Sequence, residues 1–292
     1  MKIFFVLILI ILHFGVFAQH NSSYSQYMFN GLLLNPAYAG SNEALNLTAL
    51  YRKQWLGING SPTTMNFTAH MPLKNEKVSL GIILVGEKLG VSEHNKLNFV
   101  YAYRFKLLKG QFSLGLQAGF DAHRANWEQV RTTQLRDPSF AVNIEKRILP
   151  QAGFGIYYYN KSLFVGLSIP SIIANNFNLY KTTLFNLGCI MNLFENFNIK
   201  PALLIKYILN SPTDANLSTT FYWKDIFGLG LGCSVNRTAQ AYMDLKVNNQ
   251  FRFGYAYDYP FNNLQNYNSG SHEIMLRYLF QYKVKVLSTR YF

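Results

Sequence analysis

Between residues 97 and 120 the chain alternates with a period of two. In LNFVYAYRF (97–105), Leu97, Phe99, Tyr101, Tyr103 and Phe105 share one face, and Asn98, Ala102 and Arg104 the other. FSLGLQAGF (112–120) sets Phe112, Leu114, Leu116, Ala118 and Phe120 against Ser113, Gly115, Gln117 and Gly119. Successive side chains of a strand point to opposite faces, so this pattern means strands with one apolar and one polar face. The same alternation recurs at 45–51, 65–71, 251–257 and 274–282. Weaker versions occupy 78–86, 150–158, 163–169, 184–193, 198–207, 217–223, 227–235 and 240–247, which makes about fourteen strands. Several of the polar faces carry only Gly, Ser or Ala, as suits close packing inside a narrow lumen.

Composition explains which face meets what. Hydrophobic residues are 49% of the chain, yet only 14% of residues are charged, against about 25% in a typical soluble domain. The connections add an independent signal. Those after strands two, four, six, eight, ten and twelve are tight, whereas those after one, three, five, seven, nine and thirteen look long; the connection near 236–239 breaks the pattern. Short turns at one end and long loops at the other are the signature of an outer-membrane barrel. A β-sandwich has no reason to sort its loops this way. The expected fold is therefore an all-β transmembrane outer-membrane β-barrel of about 14 antiparallel strands, with apolar rows toward lipid and polar rows toward the lumen.

Export agrees with this. MKIFFVLILIILHFGVFA (1–18) combines Lys2, an apolar run and a small Ala18, the pattern of a cleaved signal peptide ending before Gln19. The alternative, an uncleaved helical anchor, is disfavoured by the short apolar core. The expected plan is signal peptide 1–18, N-terminal periplasmic segment 19–42, barrel 43–282 and a basic C-terminal tail 283–292.

Other function classes are weak. The net charge of +13 and the basic, aromatic YRKQWLGINGSPTT (51–64) suggest nucleic acid, but an exported barrel does not meet it. There, Tyr51 and Trp55 instead suit an interfacial girdle, with Arg52 and Lys53 reaching lipopolysaccharide or the lumen mouth. Cys189 and Cys233 make neither a disulfide framework nor a zinc site. Asp121, His123 and Ser139 could be offered as a hydrolase triad, but no G-x-S-x-G accompanies them. His272–Glu273 reads as a structural pair. No spacing suggests a metal or cofactor, and no enzyme is expected. The long loop at 123–147 carries Arg124, Trp127, Arg131 and Arg136, residue types favoured at protein interfaces; a lid or a basic face toward lipopolysaccharide is the alternative.

The motifs carry a resemblance. QYMFNGLLLNPAYAGS (26–41), YRKQWLGINGSPTT (51–64), GLQAGF (115–120), DPSF (137–140) and GYAYDYPFNNLQNYNSGSHEIMLRYLF (254–280) occur in this order. Together they resemble the PorP/SprF family of outer-membrane proteins of the type IX secretion system and gliding motility in Bacteroidota. Residues matching the family pattern are Tyr27, Asn35, Pro36, Tyr38, Gly40, Arg52, Gln54, Trp55, Pro62, Thr64, Asp137, Pro138, Phe140, Asp258, His272 and Glu273. Gly31, Arg277 and Leu279 depart from it. The resemblance implies a fourteen-stranded barrel in the outer membrane of a Gram-negative bacterium. It also implies cell-surface anchoring or export of a surface protein bearing a C-terminal sorting domain, and docking of periplasmic secretion components. An outer-membrane channel for small or hydrophobic ligands is the rival reading. One consequence is directly measurable: mass spectrometry of the outer-membrane form should find Gln19 at its N-terminus. A mature form retaining residues 1–18 would contradict the cleavage.

Overall fold

The computed structural model describes residues 29–74, 76–129, 144–173, 182–209, 211–235 and 238–280. The signal peptide and the tail 283–292 lie outside the described residues. Fifteen strand segments form a single antiparallel sheet. They are β1 (Leu45–Lys53), β2 (Thr63–Pro72), β3 (Val78–Leu89), β4 (Ser92–Leu107), β5 (Gly110–Ala125), β6 (Ile144–Tyr159), β7 (Leu163–Ile169) and β8 (Thr182–Cys189), then β9 (Met191–Phe194), β10 (Phe197–Ile208), β11 (Asp214–Trp223), β12 (Phe227–Ser234), β13 (Thr238–Lys246), β14 (Phe251–Pro260) and β15 (Ser271–Phe280).

Each strand pairs with its sequence neighbour, and β1 pairs with β15 from Leu45↔Phe280 to Lys53↔His272. The sheet is thus a closed ring. β8 and β9 both pair with β10 and flank Ile190, so they are two parts of one broken stave. The ring has fourteen staves, the number expected from the alternation.

Face assignment follows the alternation. In β1, Asn46, Thr48, Leu50 and Arg52 are buried while Ala49 and Tyr51 are exposed. Outward rows are apolar, among them Phe67, Leu84, Phe99, Leu116, Phe221, Leu231 and Leu276, all exposed. Exposed Phe105, Phe197, Trp223, Phe251 and Phe280 mark the short-turn end, and Tyr51, Tyr207 and Tyr259 the other. Those are the two aromatic belts expected where a barrel leaves hydrocarbon. No helix among the described residues is long and apolar enough to cross a membrane. The turns after the even staves, at Leu108–Lys109 and Asn160–Ser162 for example, are short and fall at one end, which in this class faces the periplasm.

One connection differs from expectation. The third, read as a long loop over EKLGVSEHNK (87–96), is a tight hairpin, because β3 and β4 pair without interruption from Val78↔Tyr103 to Leu89↔Ser92. β4, β5 and β6 are each 16 residues long, whereas about 9–11 residues cross a bilayer. The excess stands above the membrane. There both faces can be polar, so Glu87, Lys88 and Glu93 continue a strand while looking like loop. Lys88 and Glu93 pair across the hairpin at 3.2 Å.

The lipid-facing rows make a quantitative prediction. Leu116 is 60% exposed in the middle of β5. Leu116→Arg should lower the unfolding free energy in lipid vesicles by about 2–4 kcal/mol, the penalty for a cation near mid-bilayer. Urea titration in vesicles measures it. An unchanged midpoint would mean this face does not meet lipid.

Candidate functional site: a filled lumen and its external rim

The residues before β1 lie within the ring. The described part of the expected periplasmic segment, 29–42, packs against inward faces rather than beneath the barrel. Its backbone makes a single helical turn, Gly31–Leu34, and then a three-residue turn, Pro36–Tyr38. Asn35 separates them in an extended conformation, and its Oδ1 accepts from Ala37 N–H at 2.9 Å. Its Nδ2 donates to the Ile156 carbonyl at 2.8 Å, tying this segment to β6. Leu32, Ala37, Tyr38 and Ala39 form one core with Ile83, Val100, Tyr157, Tyr159 and Phe164 of the wall. Phe29 forms another with Tyr222, Tyr242, Ala256 and Met275. The segment is a plug.

Small wall residues make room for it. A Cβ on Gly115 would lie 2.1 Å from the Ala37 nitrogen, so β5 admits the plug backbone only where it has no side chain. Gly40 has φ of 76°, and a Cβ there would meet Ser79 Oγ at 2.0 Å. Gly40 N–H donates to His70 Nδ1 at 3.0 Å, and its carbonyl accepts from Arg104. Arg104 also donates to the Glu76 carbonyl at 2.7 Å and to Tyr159 Oη at 3.1 Å. Tyr38 stands edge-on to both His70 and Tyr157, with ring centroids 5.6 Å apart in each case. Burial raises the Tyr38 phenol above the ordinary tyrosine value, so it remains neutral inside the ring.

The opposite end of the lumen holds an ion cluster. Arg52 contacts Asp258 at 2.6 Å and Glu273 at 3.2 Å, and all three are buried. These residues sit on β1, β14 and β15, so the cluster stitches the seam where the ring closes. Arg52 thus occupies the lumen mouth, the second of its two expected settings. Thr64, buried on β2, is its cross-strand partner.

Above this cluster the rim is tied together by backbone bonds. Gln54 N–H reaches the Pro62 carbonyl at 2.9 Å, and Leu56 bonds across to the last external loop, its N–H to the Gly270 carbonyl and its carbonyl from Ser269 N–H. Trp55, half-buried with φ of 49°, donates its N–H to Ser271 Oγ at 3.2 Å. Lys53 donates to the Ser61 carbonyl and to Thr63 Oγ1, so it serves the loop. Gly90 N–H bonds the Gly60 carbonyl at 2.8 Å and joins the tall hairpin to the first loop.

Other expected residues are scattered. His272 and Glu273 are adjacent on a strand and face opposite sides, so they are not a pair. His272 Nδ1 meets Tyr255 Oη at 2.7 Å instead. Arg124 is exposed near the end of β5, and Trp127 opens a short turn beyond it. Tyr27, Arg131, Arg136, Asp137, Pro138, Phe140 and Ser139 lie outside the described residues. Of the hydrolase candidates, His123 Nε2 meets Ser92 Oγ at 3.0 Å, while Asp121 contacts His94 at 3.9 Å. The carboxylate that a triad would place on His123 serves the neighbouring ring. Sequence reasoning set Arg104, His70 and Arg252 on polar rows but singled out none of them, nor Lys200 or Asp244, as members of an interior network. Their signal was available: each is an ionisable residue on the polar row of a strand.

A closed fourteen-stave ring with apolar outer rows, polar inner rows and sorted turns defines an outer-membrane β-barrel protein. Residues 16–278 match the family described as type IX secretion system membrane protein PorP/SprF, and the chain belongs to that family. In fold it is similar to the Acinetobacter baumannii outer membrane protein Omp33, at 7% identity and TM-score 0.50, over 82% of this chain and 100% of that one. It is also similar to the CymD monoaromatic hydrocarbon channel, at 12% identity and TM-score 0.52, over 92% of this chain and 96% of that one. At these identities the likeness is one of fold. Among curated proteins no match is found.

The plug geometry makes a direct prediction. Gly115→Val should displace the Pro36–Ala37 backbone and unseat the plug. Planar bilayers holding the variant should show stable conductance steps where the native protein shows none. Equal conductance of the two would mean the plug does not govern passage.

Proposed function

We propose that this protein is a non-enzymatic barrel that anchors, or assists export of, a large surface protein bearing a C-terminal sorting domain. It also docks periplasmic components of the secretion machine. The observation that carries this reading is the plug, in a chain of the PorP/SprF family. A ring filled by its own residues 29–44 supports docking at its two ends over conduction between them.

Both ends suit docking chemically. On the external side the first, third and last connections are cross-linked by backbone bonds, which presents a preformed surface. Arg124 and Trp127 flank it, and the family-matched Gln54, Trp55 and Pro62 belong to it. Arg and Trp are the residue types that carry most interface energy. At the short-turn end Lys74, Lys77, Lys106, Lys109, Lys161 and Lys224 are all exposed. A ring of lysines favours an acidic periplasmic partner and speeds its approach.

The rival, a channel for small or hydrophobic ligands of the kind the CymD fold carries, requires the plug to leave. One experiment separates the two. Affinity capture of the tagged protein from outer membranes, followed by mass spectrometry, should recover a large surface protein with a sorting domain in near-equal amount. Trp127→Ala combined with Arg124→Ala should lower that recovery while the barrel still migrates as folded on a gel. Capture of no partner, together with conductance by the native protein, would overturn the anchor in favour of the channel.

A further inference from the structure

The lumen holds a second ionic cluster, at the short-turn end, and its charge does not balance. Arg277 on β15 lies directly opposite Arg252 on β14. Asp244 on β13 is one pair removed, facing Gly254, and Lys200 enters from β10. Lys200, Arg277 and Asp244 are each no more than 2% exposed, and Arg252 is 6% exposed. Arg277, Asp244 and Arg252 all lie close enough to act on Lys200, and Arg252 and Asp244 act on Arg277. Three basic side chains against one carboxylate leave a formal excess of two positive charges among buried groups.

The one carboxylate is already committed, since Asp244 Oδ2 pairs with Arg252 Nη1. Among the described residues, neither Lys200 nor Arg277 has a hydrogen bond or an ion pair. Lys200 Nζ stands over the Phe164 ring at 5.2 Å from its centroid, and Arg277 Nε is buried with no hydrogen-bond partner. Buried charges in proteins are paired, because taking an isolated ion out of water costs several kcal/mol even after relaxation. Two unpaired and one paired cation converging on one place therefore describe half of a site. The missing half is anionic.

Its chemistry follows from the donors. Guanidinium groups offer planar forks that match oxyanions, and an ammonium adds a point charge. Phe164 lies under Lys200, and Tyr222, packed with Tyr242 and Phe29, lies near Arg277; such low-dielectric neighbours strengthen a charge contact. We propose that Lys200, Arg252 and Arg277 bind a small doubly charged oxyanion of the phosphate class. Held there, the anion ties the plug to the β15 wall: Arg277 sits beside Tyr38, whose segment is otherwise hydrogen-bonded to β2, β4, β6 and β7. The ion is a structural ligand of the plugged state and takes no part in conduction.

The test uses the full mature barrel in detergent, with inorganic phosphate as probe in chloride buffer of fixed ionic strength. Calorimetry should show saturable binding at one site, or native mass spectrometry should show phosphate retained through purification. Phosphate should also raise the temperature at which the folded, fast-migrating form is lost. Lys200→Met and Arg277→Met should abolish both responses. Arg277→Lys, which keeps the charge and loses the fork, should bind about tenfold more weakly, the loss expected for a charge-assisted hydrogen bond. Lys88→Met, on the exposed hairpin, should bind as the native protein does. Native protein with neither saturable binding nor retained phosphate would overturn the proposal whatever the variants do. So would binding that survives in both methionine variants, which would mark an adventitious ion only.

Discussion

Everything in this molecule depends on the β1–β15 pairing. Hydrocarbon offers no partner to an unpaired backbone N–H or carbonyl, so a sheet in a membrane must have no edge. Nine cross-strand pairs, from Leu45↔Phe280 to Lys53↔His272, remove that edge. The first and last strands are far apart in the chain, and their union carries the largest loop-closure entropy of any pairing here. The buried Arg52–Asp258–Glu273 cluster lies at this seam, where a fixed geometry matters most. Once the ring is closed the two faces have no freedom: Leu116 and Phe99 meet lipid, and Gln117 and Asn98 meet the interior.

Closure creates a second problem. Eight staves enclose about as much space as their own side chains can fill, and fourteen enclose more. The inner rows here are small as well, with Gly115, Ser113, Ala102 and Ser79 on adjacent staves. Residues 29–44 take up that space. They bring polar groups with them, and the wall answers several of these. Asn35 meets the Ile156 carbonyl, Gly40 meets His70 and Arg104, and Asn30 accepts from Thr68 Oγ1 at 3.1 Å. Family-matched Asn35, Pro36, Tyr38 and Gly40 are all buried in this plug, and Arg52, Asp258 and Glu273 in the seam. These motif residues hold the filled state together.

A filled ring changes which parts of the protein face the cell and its surroundings. On the proposed docking role its two ends, one a cross-linked set of loops and the other a ring of lysines, are its working surfaces. The ionic character of the lumen is asymmetric too. Carboxylates exceed cations around Arg52, whereas cations exceed carboxylates around Arg277.

How much of this was legible in the chain depends on the range of the signal. Alternation is local and has a period of two. It therefore determined the strands, their count of fourteen staves and the face each residue presents, down to Arg104, Arg252 and Arg277 on inner rows. It failed where the lipid stops imposing a pattern, as at 87–96, where a charged stretch continues β3 and β4. The opening NGLLLNPAYAGS has no period, and nothing in it announces that it turns inward; its place was decided by the width of the ring and by Gly115, which lies some eighty residues later. Partners in the lumen were equally out of reach. Arg52 finds Glu273 and Asp258 only because the first strand closes on the last, and His272 parts from Glu273 only because neighbours in a strand face opposite ways. The sequence by itself determined what each side chain faces. Which groups meet across the lumen was decided by closure, a tertiary event that no local pattern encodes.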